Sequence, residues 1–456
     1  MGKVKSFWDS YRLIIIAFII GGFFYILTLS FFNDTQSKLI GVIAFLVTLW
    51  TNNGFHMGVV SLLPILLFPI FGLVESKDVV TNYSKTTIFL FMGGFLLAIA
   101  TEKSGLHKRL ATFLISIFPS TPRGILLSLM LTAGILSSIL SDTTTALLMI
   151  PIAGFLTNNI DFKFRLIVGV AYASLIGGII TPIGTPPNLI LMDFLESNAL
   201  EPIQFATWTM MMLPLAIVMM ITACEILLFG FKKKDFSLVE IDMTKKPLTL
   251  NQKKLVWMLS SLALLLALNP ILKNFFDVSI DEKLTLLAFG LFLFLPKVDL
   301  LDWKEDFAKI PFAIIFLFGA GFSIAMAFQK TGLATEIANI LVSFNHLPPI
   351  VLMFIIGSGV VFATELTSNT ALTSIMIPII YPFAIQSNLD PTLFMLIVAI
   401  SASYAFMLPI ATAPNAIAMS TGHVKTTQMI KRGFFLNIIG IAITFFIALT
   451  YWRIFI

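Results

Sequence analysis

Long apolar segments separated by short polar ones run along nearly the whole chain of 456 residues. Eleven of the apolar segments are long enough to cross about 30 Å of hydrocarbon as a helix. Prolines interrupt two of them, 163–198 and 391–421, which indicates broken helices. The pattern predicts an all-α integral membrane protein with eleven transmembrane helices. The predicted segments are 12–32, 38–52, 56–74, 86–101, 163–198, 206–230, 254–272, 283–296, 310–328, 391–421 and 433–453.

Two further apolar stretches, 122–157 and 347–385, carry a polar motif at their middle. The first motif reads SDTTTALLMIPIA from Ser141, and the second reads SNTALTSIMIPII from Ser368. Serine and threonine in apolar helices often bond only to their own backbone. Two copies, each followed by a proline-broken segment, favour a binding site instead. We therefore interpret both stretches as re-entrant hairpins that enter and leave the membrane on one side.

A constant offset of 227 residues relates the two halves of the chain. It pairs Ser141 with Ser368 and Asn188 with Asn415, and segment 88–106 matches 315–333 at 11 of 19 positions. Each unit has five predicted crossings plus a hairpin that crosses nothing. Because an odd number of crossings inverts the second copy, the duplication predicts an inverted-topology repeat, as in secondary transporters. In both units an amphipathic segment, 105–118 or 332–344, predicts a helix lying along the membrane interface.

The distribution of charge predicts orientation. Hydrophobic residues make up 58% of the chain and charged residues 12%, too few to solvate a soluble surface. With eleven crossings, the basic loops fall on one side, which the positive-inside rule makes cytoplasmic. We predict a multi-pass protein of the cell membrane with a cytoplasmic N-terminus, surrounded by lipid and without a nucleic-acid partner. The basic segments are the N-terminus, 101–124, 231–254 and 421–432.

Motifs for catalysis are missing from the sequence. There is no GxSxG, HExxH or Walker-type loop, and the lone Cys224 and four scattered histidines give no metal-ligand spacing. We therefore predict that the protein is not an enzyme and needs no organic cofactor.

The two hairpin tips and the two breaks, TPIGTPPN at 181–188 and LPIATAPN at 408–415, are expected at membrane depth. Unpaired backbone groups cost several kcal/mol in lipid, so they must line a protected polar cavity. Positive helix N-termini there suit carboxylates, and free carbonyls suit a cation. Two similar halves fit a substrate with a carboxylate at each end. Glu365, near the second tip, either supports the hairpin or contacts the ligand.

The paired Ser-Asn-Thr-like motifs, the PIGTPPN-type break and the hairpins resemble the divalent anion/sodium symporter (DASS) family of the INDY type. The resemblance implies a homodimer that moves succinate, malate, fumarate or 2-oxoglutarate by an elevator mechanism. It also implies a scaffold, assigned to residues 1–121 and 231–346, and a transport domain, assigned to residues 122–230 and 347–456.

Motif position also implies site residues. The first Na⁺ site would comprise Ser137, Ser141, Asp142 and Gly184, and the second would comprise Thr364, Thr367, Asn369 and Ala411. Na⁺ is the one ion implied, as a coupling or a structural ion. The implied substrate contacts are Ser141, Asp142, Thr143, Thr185, Pro187, Ser368, Asn369, Thr370, Thr412 and Pro414.

Asp142 departs from the motif, which expects Asn. An unpaired carboxylate at the midplane costs roughly 2.5–3.5 kcal/mol or more, so Asp142 should hold a cation or a proton. A cation neutralised by its own carboxylate need not leave with the substrate. We therefore expect weakened sodium coupling and dicarboxylate exchange (antiport). The alternatives are a sodium- or proton-coupled dicarboxylate symporter, an ion channel built on re-entrant loops, or an oxyanion-pump subunit that would need an ATP-binding partner.

Overall fold

The computed structural model describes residues 7–52, 56–231, 247–276, 280–342 and 347–456. Within these ranges every regular element is helical, which confirms the all-α class. The first six residues, whose side of the membrane was predicted, and residues 232–246 of the predicted linker lie outside the described ranges.

In the first half of the chain the described residues form twelve helices. Of these, α8 and α9 correspond to the first predicted hairpin, and α10 and α11 to the first broken helix. The bounds are α1 Phe7–Thr28, α2 Asp34–Asn52, α3 Met57–Val60, α4 Leu63–Ile70, α5 Ser76–Asn82, α6 Thr86–Lys103, α7 Leu106–Ile117, α8 Pro122–Ser137, α9 Asp142–Phe155, α10 Ile160–Gly178, α11 Pro186–Ser197 and α12 Phe205–Leu228.

The described residues of the second half form ten α-helices and two short 3₁₀ turns. Here α18 and α19 form the second helix pair, and α20 and α21 the second broken segment. The bounds are α13 Leu250–Phe276, α14 Glu282–Phe292, α15 Trp303–Asp306, α16 Phe312–Lys330, α17 Leu333–Val342, α18 Pro349–Thr364, α19 Asn369–Gln386, α20 Pro391–Ser401, α21 Ala413–Ser420 and α22 Thr426–Thr450.

The lengths of the helices are those of a membrane protein. By length and composition, five helical stretches of the described chain could each cross a bilayer alone. The other helices of the described chain are either shorter or less uniformly apolar, so the number of eleven crossings stays a prediction. The five stretches are Tyr11–Thr28, Ser76–Lys103, Phe205–Leu228, Phe312–Lys330 and Thr426–Ile454.

Helices α6 and α16, which the repeat equates, run antiparallel. Lys103 at the end of α6 lies 2.5 Å from Asp306, which precedes α16. Conversely, Lys330 at the end of α16 pairs with Asp78, which precedes α6. Near the middle, the rings of Phe91 and Phe318 stack at 3.9 Å. The antiparallel pair is the arrangement that an inverted duplication produces.

The buried core falls into three clusters. The largest is built mainly from α8–α12 and α18–α22, and the other two from α6 with α13–α16 and from α1–α5 with α16 and α17. Within the largest cluster, α8 and α10 cross at glycines: a Cβ on Gly177 would lie 2.4 Å from the carbonyl oxygen of Gly134. Such close crossings are typical of membrane helices. The clusters place both helix pairs and both broken segments in one packed unit.

Candidate functional site

A cavity of about 660 Å³ lies where the tips of the two helix pairs meet the two breaks. Eleven of the fifteen residues assigned from the sequence line it. They therefore come together in space although 227 positions separate the two halves of the chain. The eleven are Ser141, Asp142, Thr143, Gly184, Thr185, Thr367, Ser368, Asn369, Thr370, Ala411 and Thr412.

The other four residues lie behind the wall of the cavity. Ser137 Oγ donates to the carbonyl of Ser174 at 2.6 Å, and Thr364 Oγ1 lies 2.8 Å from the carbonyl of Ala402. Pro187 and Pro414 are buried in the first turns of α11 and α21. These four side chains thus shape the wall from outside the space that a ligand would occupy.

Four helix N-termini converge on the cavity. Ser141, Thr185, Ser368 and Thr412 are the N-cap residues of α9, α11, α19 and α21, and all four line the space. A helix N-terminus acts as roughly +0.5 elementary charge, so four of them supply roughly +2. This positive potential suits a dianion without any basic side chain.

At the first tip, Asp142 stands in the first turn of α9. Its Oδ1 accepts the backbone N–H of Thr143 at 2.7 Å and lies 3.3 Å from the Thr143 hydroxyl. Ser141 caps the helix by accepting the N–H of Thr144 at 3.2 Å. The carboxylate is therefore bound only to groups of its own turn, and it faces the cavity.

At the second tip the equivalent residue is Asn369. Its Oδ1 lies 2.7 Å from the hydroxyl of Thr364, and Thr367 donates to the carbonyl of Ala363 at 2.9 Å. The hydroxyl oxygen of Thr412 is buried and has no hydrogen-bond partner within the described residues. A ligand oxygen in the cavity would give that hydroxyl its missing partner.

Two asparagines hold the breaks open in the same way. Asn188 Nδ2 donates to the carbonyls of Gly178 and Thr181 at 3.1 and 2.8 Å. Asn415 Nδ2 donates to the corresponding carbonyls, of Ala405 and Leu408, at 2.8 and 3.1 Å. Each side-chain amide thereby replaces backbone donors that the unwound segments have lost.

Glu365 supports the second hairpin rather than lining the cavity. The carboxylate is 3% exposed and accepts the N–H groups of Met407 and Leu408 at 2.8 and 2.9 Å. Asn437 of α22 donates to the same carboxylate at 2.8 Å. Asn437 was not predicted from the sequence, where its signal is a single amide in an otherwise apolar stretch of α22. Together the three contacts join the hairpin, the break and α22.

The electrostatics of the wall are unusual for an anion site. Among the described residues that line the cavity there is no Lys, Arg or His, and Asp142 is the one ionisable side chain. No group of three or more His, Cys, Asp or Glu that could hold a metal ion occurs in the described chain. Hydroxyl and carbonyl oxygens are present, and such groups suit Na⁺.

An aromatic surface completes the cavity. Trp50, Phe91, Phe95 and Phe318 contribute to the wall opposite the polar tips. The sequence did not reveal this surface, because a phenylalanine facing a cavity and one facing lipid look alike in an apolar helix. The apolar wall suits the carbon chain between two carboxylates.

Exposed residues of the wall indicate the face toward which the cavity opens. Arg109 donates to the carbonyl of Pro247 at 2.8 Å, and Lys254 donates to the carbonyl of Val298 at 2.9 Å. Lys103 forms an ion pair with Asp306. These contacts place residues 103–109, 247–254 and 297–309 on one face, which we name the basic face. Ile410, in the cavity wall, is 80% exposed. Met57 in the wall is next to Gly58, which contacts α16 near its start on the basic face.

Comparison with known proteins adds independent findings. The profile of the family described as citrate transporter (CitMHS) matches residues 43–399. A sodium-dependent dicarboxylate transporter, SdcS, of Staphylococcus saprophyticus is 30% identical over 465 residues, covering 94% of this chain and 89% of its own. SdcS of Staphylococcus aureus is 30% identical over 462 residues, covering 93% and 89%.

Two solved transporter structures share the fold. The YdaH transporter of Alcanivorax borkumensis superposes with a TM-score of 0.63 at 12% identity, covering 88% of this chain and 99% of its own. MtrF of Neisseria gonorrhoeae, described as one of a class of antimetabolite efflux pumps, gives a TM-score of 0.60 at 13% identity, covering 96% and 97%. At these identities the likeness concerns the fold alone.

Proposed function

The chain belongs to the citrate transporter family CitMHS, whose members are membrane transporters and not enzymes, and on that premise we propose that it carries C4 and C5 dicarboxylates across the cell membrane. The observation that carries the proposal is the convergence of four helix N-termini and both polar motifs on one cavity without a basic side chain. The SdcS relatives align with 94% and 93% of this chain and are named dicarboxylate transporters, and these names support the same substrate class.

The division of the cavity supports a substrate with two carboxylates. Each half offers a hairpin tip and a break, and each carries hydroxyl groups at a helix N-terminus. One carboxylate would lie at Thr143 and Thr185, the other at Thr370 and Thr412, with the carbon chain against the aromatic wall. Succinate, malate, fumarate and 2-oxoglutarate all have this form.

For the movement we propose an elevator. The transport domain would comprise residues 122–230 and 347–456, including both re-entrant hairpins, and the scaffold residues 1–121 and 231–346, in a homodimer with eleven crossings per chain. The position of the cavity supports this, because it lies between the largest packed cluster and the helices α2, α3, α6 and α16. With the N-terminus and the basic face cytoplasmic, the described conformation opens to the cytoplasm.

For the coupling we propose dicarboxylate exchange. A dianion roughly balances the four helix N-termini, and the carboxylate of Asp142 then leaves an excess of about one negative charge. One cation would neutralise Asp142 and would stay when the substrate leaves. Sodium symport is the second candidate, because the relatives are named sodium-dependent and the second tip keeps the Asn369 of the motif.

Uptake of radiolabelled succinate into proteoliposomes tests both the proposed substrate class and the proposed exchange. Exchange predicts that preloaded succinate accelerates uptake at least tenfold and that a sodium gradient adds little. In the Asp142→Asn variant we expect dependence on sodium to appear. If a sodium gradient alone drives accumulation and preloading has no effect, exchange is wrong while dicarboxylate transport stands. If no dicarboxylate enters under any condition, the proposed substrate class is wrong.

A channel would behave differently in the same vesicles. A channel gives flux that does not saturate with substrate, whereas a carrier saturates. The contacts that join α11 to the ends of α6 and α14, on the face opposite the cavity opening, favour the carrier.

A further inference from the structure

Two arginines lie close together near the starts of α10 and α22. Arg165 is only 2% exposed, and its Nη1 contacts Asp161 Oδ1 at 3.0 Å. Arg432 is half-buried and makes no hydrogen bond or ion pair with any residue that the structure describes. The Nε atoms of both arginines are buried without a partner. Arginine is rarely buried unless paired, so these guanidinium groups lack part of their usual partners.

Aromatic rings hold both guanidinium groups in place. Arg165 Cζ lies 5.1 Å from the ring centre of Phe231, and Arg432 Cζ lies 4.9 Å from that of Phe164. Phe231 in turn stacks on Phe162 at 5.2 Å. A guanidinium over an aromatic face is attracted through its plane, which leaves the N–H groups along its edge for an acceptor. The rings therefore orient the donors before any ligand binds.

The charges around the pair are not balanced. Arg432 lies within electrostatic range of both Arg165 and Asp161. Two positive groups thus share one carboxylate, and that carboxylate is half exposed. Two like charges at close range repel strongly when they are partly removed from water. An added anion would bind where the excess charge and the unpaired donors coincide.

The pair is absent from the other half of the repeat. At the 227-residue offset the counterparts of Arg165 and Arg432 are Thr392 and Phe205. The site therefore belongs to one half of the repeat, and it includes the end of the basic segment 421–432, which the proposed orientation places at the cytoplasmic leaflet. Anionic lipids are enriched in that leaflet, and basic pockets between helices on that side bind their head groups.

We propose that Arg165 and Arg432 form a binding site for a phosphate group that joins α10 to α22. Guanidinium groups bind phosphate through two parallel hydrogen bonds, which matches the free edges of the pair. The phosphate can come from an anionic phospholipid or from a soluble phosphate. The inference needs no particular transported substrate, so it stands or falls separately from dicarboxylate transport.

Thermal unfolding of the purified protein in detergent tests the site. We expect phosphatidylglycerol to raise the Tm by about 2–4 °C over phosphatidylcholine. Arg432→Gln should lose this shift and Arg432→Lys should keep only part of it, because lysine cannot form the bidentate contact. The matched control is Lys431→Gln, which removes an exposed charge one residue away and should keep the full shift.

Native mass spectrometry gives a readout that does not depend on stability. The wild type and Lys431→Gln should each retain one more bound phosphatidylglycerol molecule than Arg432→Gln retains. If inorganic phosphate alone raises the Tm in the same Arg432-dependent way, the source is a soluble phosphate and the site stands. If neither phosphatidylglycerol nor inorganic phosphate gives an effect that depends on Arg432, in Tm or in bound lipid, the proposal is wrong.

Discussion

Polar contacts on the face opposite the cavity opening join α11 to the ends of α6 and α14. Lys85 Nζ lies 2.6 Å from Asp193 Oδ2, and their side chains are 22% and 8% exposed. Lys283 and Glu196 form a second ion pair beside the first. We name these four residues the α11 latch. Helix α21, the counterpart of α11 in the repeat, forms no ion pair with any described residue, so the latch strengthens one conformation only.

Replacing Asp193 by Asn should shift the equilibrium toward the conformation that opens on the opposite face. Removing one partner of a fully buried pair costs about 3–5 kcal/mol, and an exposed pair is worth about 0–1 kcal/mol. Because Lys85 keeps contact with water, we expect a value between these limits, about 1–2 kcal/mol. That corresponds to a roughly 5–30-fold change in the ratio of the two conformations.

Labelling of a cavity cysteine measures the shift. Cys224 is the one cysteine of the chain and is buried, so Cys224→Ser provides the background. In that background Ile410→Cys places a thiol in the wall that is exposed in the described conformation. With Asp193→Asn added, a water-soluble maleimide applied to the basic face should label this thiol several-fold more slowly, because the cavity faces it less of the time.

A matched control separates the latch from a general loss of charge. Glu201→Gln removes an exposed acid on the same face as Asp193 and should leave the labelling rate unchanged. Lys85→Met combined with Asp193→Asn should shift the rate little more than either change alone, since both remove one interaction. Equal slowing by Glu201→Gln, or no slowing by Asp193→Asn, would refute the latch.

Three further predictions follow from the contacts of the site. In Glu365→Gln only one side-chain oxygen can accept a hydrogen bond, whereas both oxygens of the carboxylate accept a backbone N–H. We therefore expect the free energy of unfolding to fall by about 1–3 kcal/mol, seen as a lower Tm. Asn188→Ala and Asn415→Ala each remove two equivalent hydrogen bonds, and each should lower the transport rate by a similar factor; a tenfold difference between them would contradict the equivalence of the breaks. Burial alone would raise the pKa of Asp306, but hydrogen bonds from Lys103 and Lys309 lower this pKa to about 2 from the ordinary 3.8. The stabilisation by this carboxylate is complete above the ordinary pKa and is lost as pH falls through about 2, so acid should lower the Tm of the wild type more than that of Asp306→Asn.

The sequence was sufficient to predict the parts of the site that depend on the repeat. Polar motifs inside apolar runs placed both tips, and the structure ends α8 and begins α9 around Ser141. The offset of 227 equated Asn188 with Asn415, and the two amides make matching hydrogen bonds. The helix ends and the matching amides were predictable because polar motifs and prolines interrupt apolar runs there, and backbone groups that leave a helix need partners that few residue types supply.

The parts that depend on tertiary contacts could not be predicted. The first break spans 179–185, whereas the second spans 402–412, although the repeat makes them equal. In the second break the carboxylate of Glu365 binds two backbone N–H groups, which replaces helical hydrogen bonds and allows α20 to end early. At the first break the counterpart of Glu365 is Ser138, whose side chain bonds within α8. One substitution at a hairpin tip thus changes the length of the break that it faces.

Positions that are identical in the two halves of the repeat and positions that differ have different effects on the balance between the conformations of the carrier. An inverted repeat with identical halves would make the two conformations of a carrier equal in energy, because each is the other with the halves exchanged. Most positions that face the cavity, such as Ser141 and Ser368, are identical in the two halves and treat the two conformations alike, but Asp142 and Asn369 differ in charge. The difference in free energy must therefore come from positions that differ, among them Asp142 in the cavity and Asp193, whose counterpart is Ser420. In this protein the binding site largely follows the duplication, and we expect the charges present in one half alone to set the difference in free energy between the two conformations.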